Sequence, residues 1–137
     1  MIMVIDGQGG GIGRAIIKKI RDSYGEELEI LALGTNSTAT SQMMRAGANR
    51  GATGENAIVK MAPLADIIIG TLAIVIANSM MGEFTTNMSE AVSLSNALKI
   101  LIPLTRENVE VVGVSGDPLP HLIDQVIEII KGGKLYV

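Results

Sequence analysis

The spacing of apolar residues changes several times along the chain, and each change marks an element. Residues 1–5, MIMVI, form a short continuous apolar run, the pattern of a strand buried on both faces. A glycine-rich turn follows, and the spacing becomes helical. Ala15, Ile16, Ile17, Ile20 and Tyr24 share one face, while Arg14, Lys18, Lys19, Arg21 and Asp22 take the other, and Gly25 supplies a stop. A second strand is expected near residues 28–33 in LEILALG. The polar stretch TNSTATS then leads into a helix through Met43, Met44 and Ala46 that ends at Gly47. ANRGATGEN reads as a small-residue loop, 57–62 as a helix stopped near Pro63, and ADIIIG as the third strand.

Residues 72–81 are apolar all round and predict a buried helix or short strand. A helix is expected from Ser89 to Leu98, then a fourth strand in KILIP and a fifth in VEVVGV. Only Leu104 to Asn108 separates these two strands, too little for a parallel crossover of a dozen or more residues, so an antiparallel hairpin is expected across 99–114. The last helix starts around Pro118 to Pro120. It buries Leu122, Ile123, Val126, Ile127 and Ile130 and stops at Gly132-Gly133. Strands alternating with helices predict an α/β sandwich of three layers with about five strands, the sheet mostly parallel. With no linker or repeat, residues 1–137 read as one domain.

Composition narrows this picture. Apolar residues make up 47% of the chain but only Phe84, Tyr24 and Tyr136 are aromatic, so the core must be aliphatic. A net charge of −3 without a long basic run argues against a nucleic-acid partner. The charge-free stretch IIIGTLAIVIANSMMG is broken by Gly70-Thr71 and Asn78-Ser79, whereas a membrane span needs about 20 mostly apolar residues; no membrane partner is expected. The first apolar run ends at Asp6 without a basic start or a cleavage site, so it does not read as a targeting segment. Absence of cysteine excludes thiol chemistry and fits a reducing cytoplasm.

The chemistry concentrates at residues 7–13, GQGGGIG, where five of seven residues are glycine between a strand and a helix. Backbone N–H groups and the helix dipole at such a turn favour an anion, usually phosphate. Gly7, Gln8, Gly9, Gly10, Gly11, Ile12 and Gly13 are therefore the expected cradle. Gly9, Gly10 and Gly11 would be the donors and Gly13 the site of close helix–strand packing. The expected guest is a small phosphorylated ligand, a nucleotide or an NAD(P)-like molecule. Asp6 would stand beside its phosphate and could point away, bond the turn's backbone, or hold Mg²⁺. If the third strand flanks the first, Gly70 and Thr71 face the turn across a crevice, and Thr35 and Asn36, with Ser37 and Thr38, line its rim near the sugar.

Gly7, Gly11 and Gly13 fit the spacing G-x-x-x-G-x-G, and with Ile12 this resembles the signature of short-chain dehydrogenases and reductases as far as Gly25. The acidic residue that would hold ribose hydroxyls at the end of the second strand is replaced by Gly34-Thr35-Asn36, and a Tyr-x-x-x-Lys pair is absent. Over the whole length VIDGQGGGIG, ALGTNSTATS, AGANRGATGENAI, DIIIG, ANSMMGE, KILIPL and DPLPHLI are together similar to a small bacterial family of Rossmann-like proteins of unassigned function. That resemblance implies a Rossmann-like fold and carries no reaction.

Other residues have a structural and a chemical reading. Thr53 is expected to cap the following helix with Glu55 in its first turn, the alternative being an anion on the Gly51 to Gly54 backbone with Glu55 as metal or base residue; Asn78 is expected to be buried and bonded to backbone, a ligand or a neighbouring subunit being the alternatives. His121, the only histidine, starts the last helix. An enzyme acting on a phosphorylated substrate would use Asp6 or His121 as acid/base or metal residue. No multi-histidine metal centre and no nucleophile-elbow serine can be drawn. Met43-Met44 and Met80-Met81 read either as core filler or as a subunit interface. The apolar surplus at 72–81 makes that segment the expected face of a homo-oligomer, which could itself be the function if the glycine turn is vestigial.

Overall fold

The computed structural model describes residues 1–132. Gly133 and Tyr136 lie outside the described residues. The elements in chain order are β1 (Ile2–Asp6), α1 (Gly11–Tyr24), β2 (Ile30–Gly34), α2 (Ser37–Ala46), β3 (Arg50–Thr53), α3 (Glu55–Met61), β4 (Ile67–Thr71), α4 (Thr86–Leu94), β5 (Leu98–Ile102) and α5 (Leu119–Lys131). Short 3-10 turns at Ala62–Leu64 and Leu72–Val75 complete them.

All four strand pairings are parallel, and the sheet order is β3-β2-β1-β4-β5. β1 sits in the middle. The chain fills one side of it with β2 and β3, then crosses to the other side for β4 and β5. The strand order therefore reverses between β1 and β4, where a crevice opens beyond the carboxyl ends of the strands.

Period-two alternation along the strands sorts the core into two layers. Ile2, Val4, Ile30, Ala32, Ile67, Ile69, Ile100 and Ile102 face α1, α2 and α5, packing on Ile16, Ile17, Ile20, Met43, Ile123 and Ile127. Met3, Ile5, Leu31, Leu33 and Ile68 face α3 and α4, packing on Ile58, Ile74, Phe84, Met88 and Val92. β1, β2 and β4 are buried along their whole length, which is why they read as unbroken apolar runs.

The expected antiparallel hairpin across 99–114 is not formed. Leu98–Ile102 pairs in parallel with β4, and VEVVGV is an exposed part of the connection to α5, with Val112 99% exposed. The chain leaving β5 does not double back, because residues 104–107 turn into the crevice, where the Glu107 carboxylate accepts from the Met80 N–H at 3.0 Å. The fifth strand is instead Arg50–Thr53, inside the stretch that reads as a loop. RGAT has no apolar alternation because it is an edge strand, held by register with β2 from Leu31↔Arg50 to Gly34↔Thr53.

Residues 72–81 form neither a helix nor a strand. After the 3-10 turn at Leu72–Val75 the backbone folds tightly, with Asn78, Met80 and Met81 all at positive φ. Asn78 is exposed, and the buried polar residue is Ser79, whose Oγ donates to the Ala73 carbonyl at 2.6 Å. α4 starts at Thr86, capped by Thr85, and Leu98 belongs to β5. Gly54, not Thr53, occupies the N-cap of α3; the Thr53 hydroxyl pairs with that of Thr40.

Phe84 is fully buried against the α3–α4 layer and anchors the end of the 76–85 fold. Truncating a buried phenylalanine removes its transfer energy and leaves a cavity, typically about 3–5 kcal/mol. Phe84→Ala is expected to lower unfolding stability by that amount in a urea titration. A loss under about 1 kcal/mol would show that Phe84 does not anchor the segment.

Candidate functional site

β1 ends on Asp6, and the chain must turn at once to start α1. Asp6 is buried and spans the turn: Oδ1 accepts from the Gly7 N–H at 2.8 Å and Oδ2 from the Gly13 N–H at 2.6 Å. Of the three ways this carboxylate could be accommodated, bonding the turn's own backbone is the one adopted. Burial raises its pKa above the ordinary range. The N–H groups of Gly13, Gly7 and Ile12 work against that shift, and the charge of Glu83 adds to it.

Within the turn Gln8 takes a positive φ of 50° and Gly10 one of 74°, and the Gly10 N–H donates to the Gly7 carbonyl at 3.0 Å. Gly10 at the N-cap of α1 has no side chain to offer, and the one carboxylate at this helix start is that of Asp6 on the Gly13 N–H.

The glycines divide by what surrounds them. A Cβ on Gly10 would stand 2.7 Å from the Ala39 Cα, and one on Gly13 would stand 2.6 Å from the Met43 Sδ and 2.9 Å from the Asp6 Cβ. On Gly7 it would meet the Met80 sulfur at 2.5 Å and a Glu83 oxygen at 2.7 Å. These three are glycine because the protein packs against them. Gly9 and Gly11 differ: beyond their chain neighbours and the helix's own backbone, no described protein atom lies within 4 Å of where a Cβ would be, and neither has a positive φ. Among the described residues their N–H groups also have no acceptor, whereas those of Gly7, Gln8, Gly10 and Gly13 do. The turn therefore presents the Gly9–Gly11 side of its backbone outward.

Thr35 and Asn36 meet the turn through a residue that the sequence pattern does not single out. The Glu83 carboxylate reaches across from the 76–85 segment, and its Oε1 accepts from the Gln8 N–H at 2.6 Å, from Asn36 Nδ2 at 3.0 Å, and from the Thr35 hydroxyl. Burial pushes the Glu83 pKa up, but these three donors outweigh it and hold the group below the ordinary carboxylate range. Asn36 has a second task, capping α2 by accepting from the Ala39 N–H at 2.9 Å. A signal for Glu83 was present: it is the only charged residue between Asp66 and Glu90.

The crevice between β1 and β4 holds a cleft of about 390 Å³. Its walls include Gly7 and Gln8 of the turn, Ile12 of α1, Thr71 at the end of β4, and Thr105 and Arg106 from the connection after β5. Gly70 lies deeper, with Ile74 and the Ile5 carbonyl filling the space over it. His121 is exposed in the first turn of α5 and does not line this cleft. A wider groove of about 570 Å³ runs between α3 and α4 past Glu55, Val59, Glu90 and Leu94, away from the glycine turn.

Two consequences follow from this geometry. Gly10→Ala forces a Cβ into the backbone of α2 at positive φ and is expected to cost about 2 kcal/mol or more, while Gly11→Ala, in open space at the start of a helix, is expected to be neutral or to gain up to about 1 kcal/mol. Equilibrium denaturation of both variants checks the contrast, and equal losses would show that the turn packs differently. The two carboxylates also respond oppositely to pH. Glu83, lowered in the native state, stabilises the fold above about pH 4.3, and that contribution is lost as pH falls through its native value. Asp6, raised, favours the fold when protonated, and that contribution is lost as pH rises through its native value. Stability measured between about pH 5 and about pH 3 is expected to fall less steeply in Glu83→Gln than in the unsubstituted protein.

Among solved structures the chain is similar to a dodecameric FMN-dependent UbiX-like decarboxylase from Escherichia coli O157:H7, at 13% identity over 96% of this chain and 95% of that one, with a TM-score of 0.46. Comparison with curated proteins gives no match. Residues 1–134 match the family described as "Domain of unknown function (DUF3842)", and the chain belongs to that family.

Proposed function

We propose that this chain binds a phosphorylated small molecule of the nucleotide class in the β1–β4 crevice, its anionic group resting on the backbone around Gly9 and Gly11. The observation that carries this reading is the pair of glycines whose missing side chains the protein's own packing does not use. Glycine at the first position of a helix is less favourable than alanine, so the fold gains nothing from it there. A ligand that must touch the backbone does gain.

Three features support the same placement. Asp6 takes the Gly13 N–H from the inner side of the α1 start, while the Gly9 and Gly11 N–H groups on its outer side have no acceptor among the described residues. Arg106 lines the adjoining cleft and supplies a cation suited to phosphate. The cleft opens at the point of reversed strand order, where open α/β sheets take their ligands. The Asp6 oxygens are both spent on the turn's N–H groups, and His121 stands away from the cleft, so the reading assigns no bond-making step to either.

A thermal-shift and calorimetric screen with ADP, ATP, NAD⁺ and inorganic phosphate tests the proposal. Nucleotides are expected to raise the melting temperature of the unsubstituted protein. Gly11→Val is expected to keep the fold, since the site is open, and to weaken nucleotide binding at least tenfold. Arg106→Ala is expected to weaken it about tenfold to about a hundredfold, in line with about 1.5–3 kcal/mol for a charge-assisted hydrogen bond. Undiminished binding in Gly11→Val, or no response to any of these probes, overturns the reading.

A further inference from the structure

In dinucleotide-binding sheets an acidic side chain at the end of the second strand accepts from the ribose hydroxyls. Here β2 ends at Gly34, and Thr35-Asn36 follows without a carboxylate. The structure nevertheless puts a carboxylate at that place. Glu83 comes from the segment between β4 and α4 and lands between the end of β2 and the first residues of the glycine turn.

Its position is built rather than incidental. Glu83 is flanked by the buried Phe84, and its own N–H donates to the Met80 carbonyl at 3.0 Å. Ser79 and Phe84 form an antiparallel bridge that closes the segment on itself. Asn78, Met80 and Met81 are held at φ of 57–61°, a conformation that non-glycine residues seldom adopt. The Met80 N–H is also held by Glu107, which joins this segment to the connection lining the cleft. Oε1 takes all three donors from Gln8, Thr35 and Asn36; Oε2 takes none of these bonds.

We propose that Glu83 is the sugar-reading residue of this site, its carboxylate accepting from the 2′- and 3′-hydroxyls of a ribonucleotide, so that the ligand carries an unmodified ribose diol. This rests on the nucleotide reading above and specifies it. Oε1 is fixed by the protein and Oε2 offers the acceptor. A 2′-phosphate would meet a negative charge at the same point, so 2′-phosphorylated nucleotides are disfavoured. A 2′-deoxyribose would leave the acceptor without one of its donors.

The test compares ADP with 2′-deoxy-ADP, and NAD⁺ with NADP⁺, by calorimetry on the full chain. The unsubstituted protein is expected to prefer ADP over 2′-deoxy-ADP and NAD⁺ over NADP⁺ by about tenfold or more. Glu83→Gln is expected to bring both ratios toward one, chiefly by weakening ADP and NAD⁺, with Glu83→Asp intermediate. Equal affinity of the unsubstituted protein for ADP and 2′-deoxy-ADP overturns the proposal while leaving nucleotide binding intact, and it decides the matter even where Glu83→Gln does not fold. Tighter binding of every nucleotide by Glu83→Gln also overturns it, because the carboxylate would then be a competitor for the turn's amides. No nucleotide bound by the unsubstituted protein overturns this proposal together with the reading beneath it.

Discussion

The site depends on one carboxylate. Asp6 closes β1 and, through its two oxygens, holds both the first and the last N–H of the glycine turn. A buried acid left without partners would be costly, so the turn is shaped to supply them. With Asp6 bonded to Gly13, the start of α1 is drawn onto the end of β1. Gly13 must then be small, and Gly10 is pressed against the backbone of α2. What is left facing outward is the stretch around Gly9 and Gly11. Orientation of the outward donors is thus a consequence of satisfying the inward ones.

A second carboxylate organises the neighbouring wall. Glu83 joins three elements that are far apart in sequence: the glycine turn, the end of β2 and the 76–85 segment. Phe84 fastens that segment to the α3–α4 layer, Ser79 ties it to the Ala73 carbonyl in the turn after β4, and Glu107 connects it to the loop after β5. Asp6 and Glu83 are close enough for the charge of one to raise the pKa of the other. Their partners separate them: Asp6 lies deep, where burial dominates, and Glu83 lies nearer the surface, where its donors dominate. Two acids at one turn therefore do not repel a ligand equally. The first is neutralised inward by backbone amides, and the second keeps one oxygen clear of them.

How far sequence carries here is visible in particular segments. β1, β2 and β4 are buried on both faces, so apart from Asp6 and Thr71 at their carboxyl ends they carry no polar side chain, and MIMVI, ILALG and ADIIIG announce themselves. α1 and α5 lie on the sheet with one face in water, and their stripes show at helical spacing. β3 does the reverse: an edge strand of RGAT is held by backbone pairing to β2, and pairing leaves no side-chain signature. VEVVGV has the composition of a strand, yet the path after β5 turns toward the crevice and leaves it without a partner. The glycine turn stood out by its composition. Gly9 and Gly11 could not be told from Gly7, Gly10 and Gly13, because the difference is whether α2, Met80 or open space lies opposite.

The sequence by itself determined the α/β alternation, the buried strands and the turn that joins the first strand to the first helix. Those features are local: periodicity, burial on two faces and glycine content are written residue by residue. Only the tertiary structure decided the strand order, the register of β3, the inward use of Asp6 and the arrival of Glu83 beside Thr35 and Asn36. These depend on which distant segments share a surface. The physical reason is that hydrogen bonds to a carboxylate are satisfied by whichever donors the packing brings near, and packing is settled by the two-sided burial of the central strands.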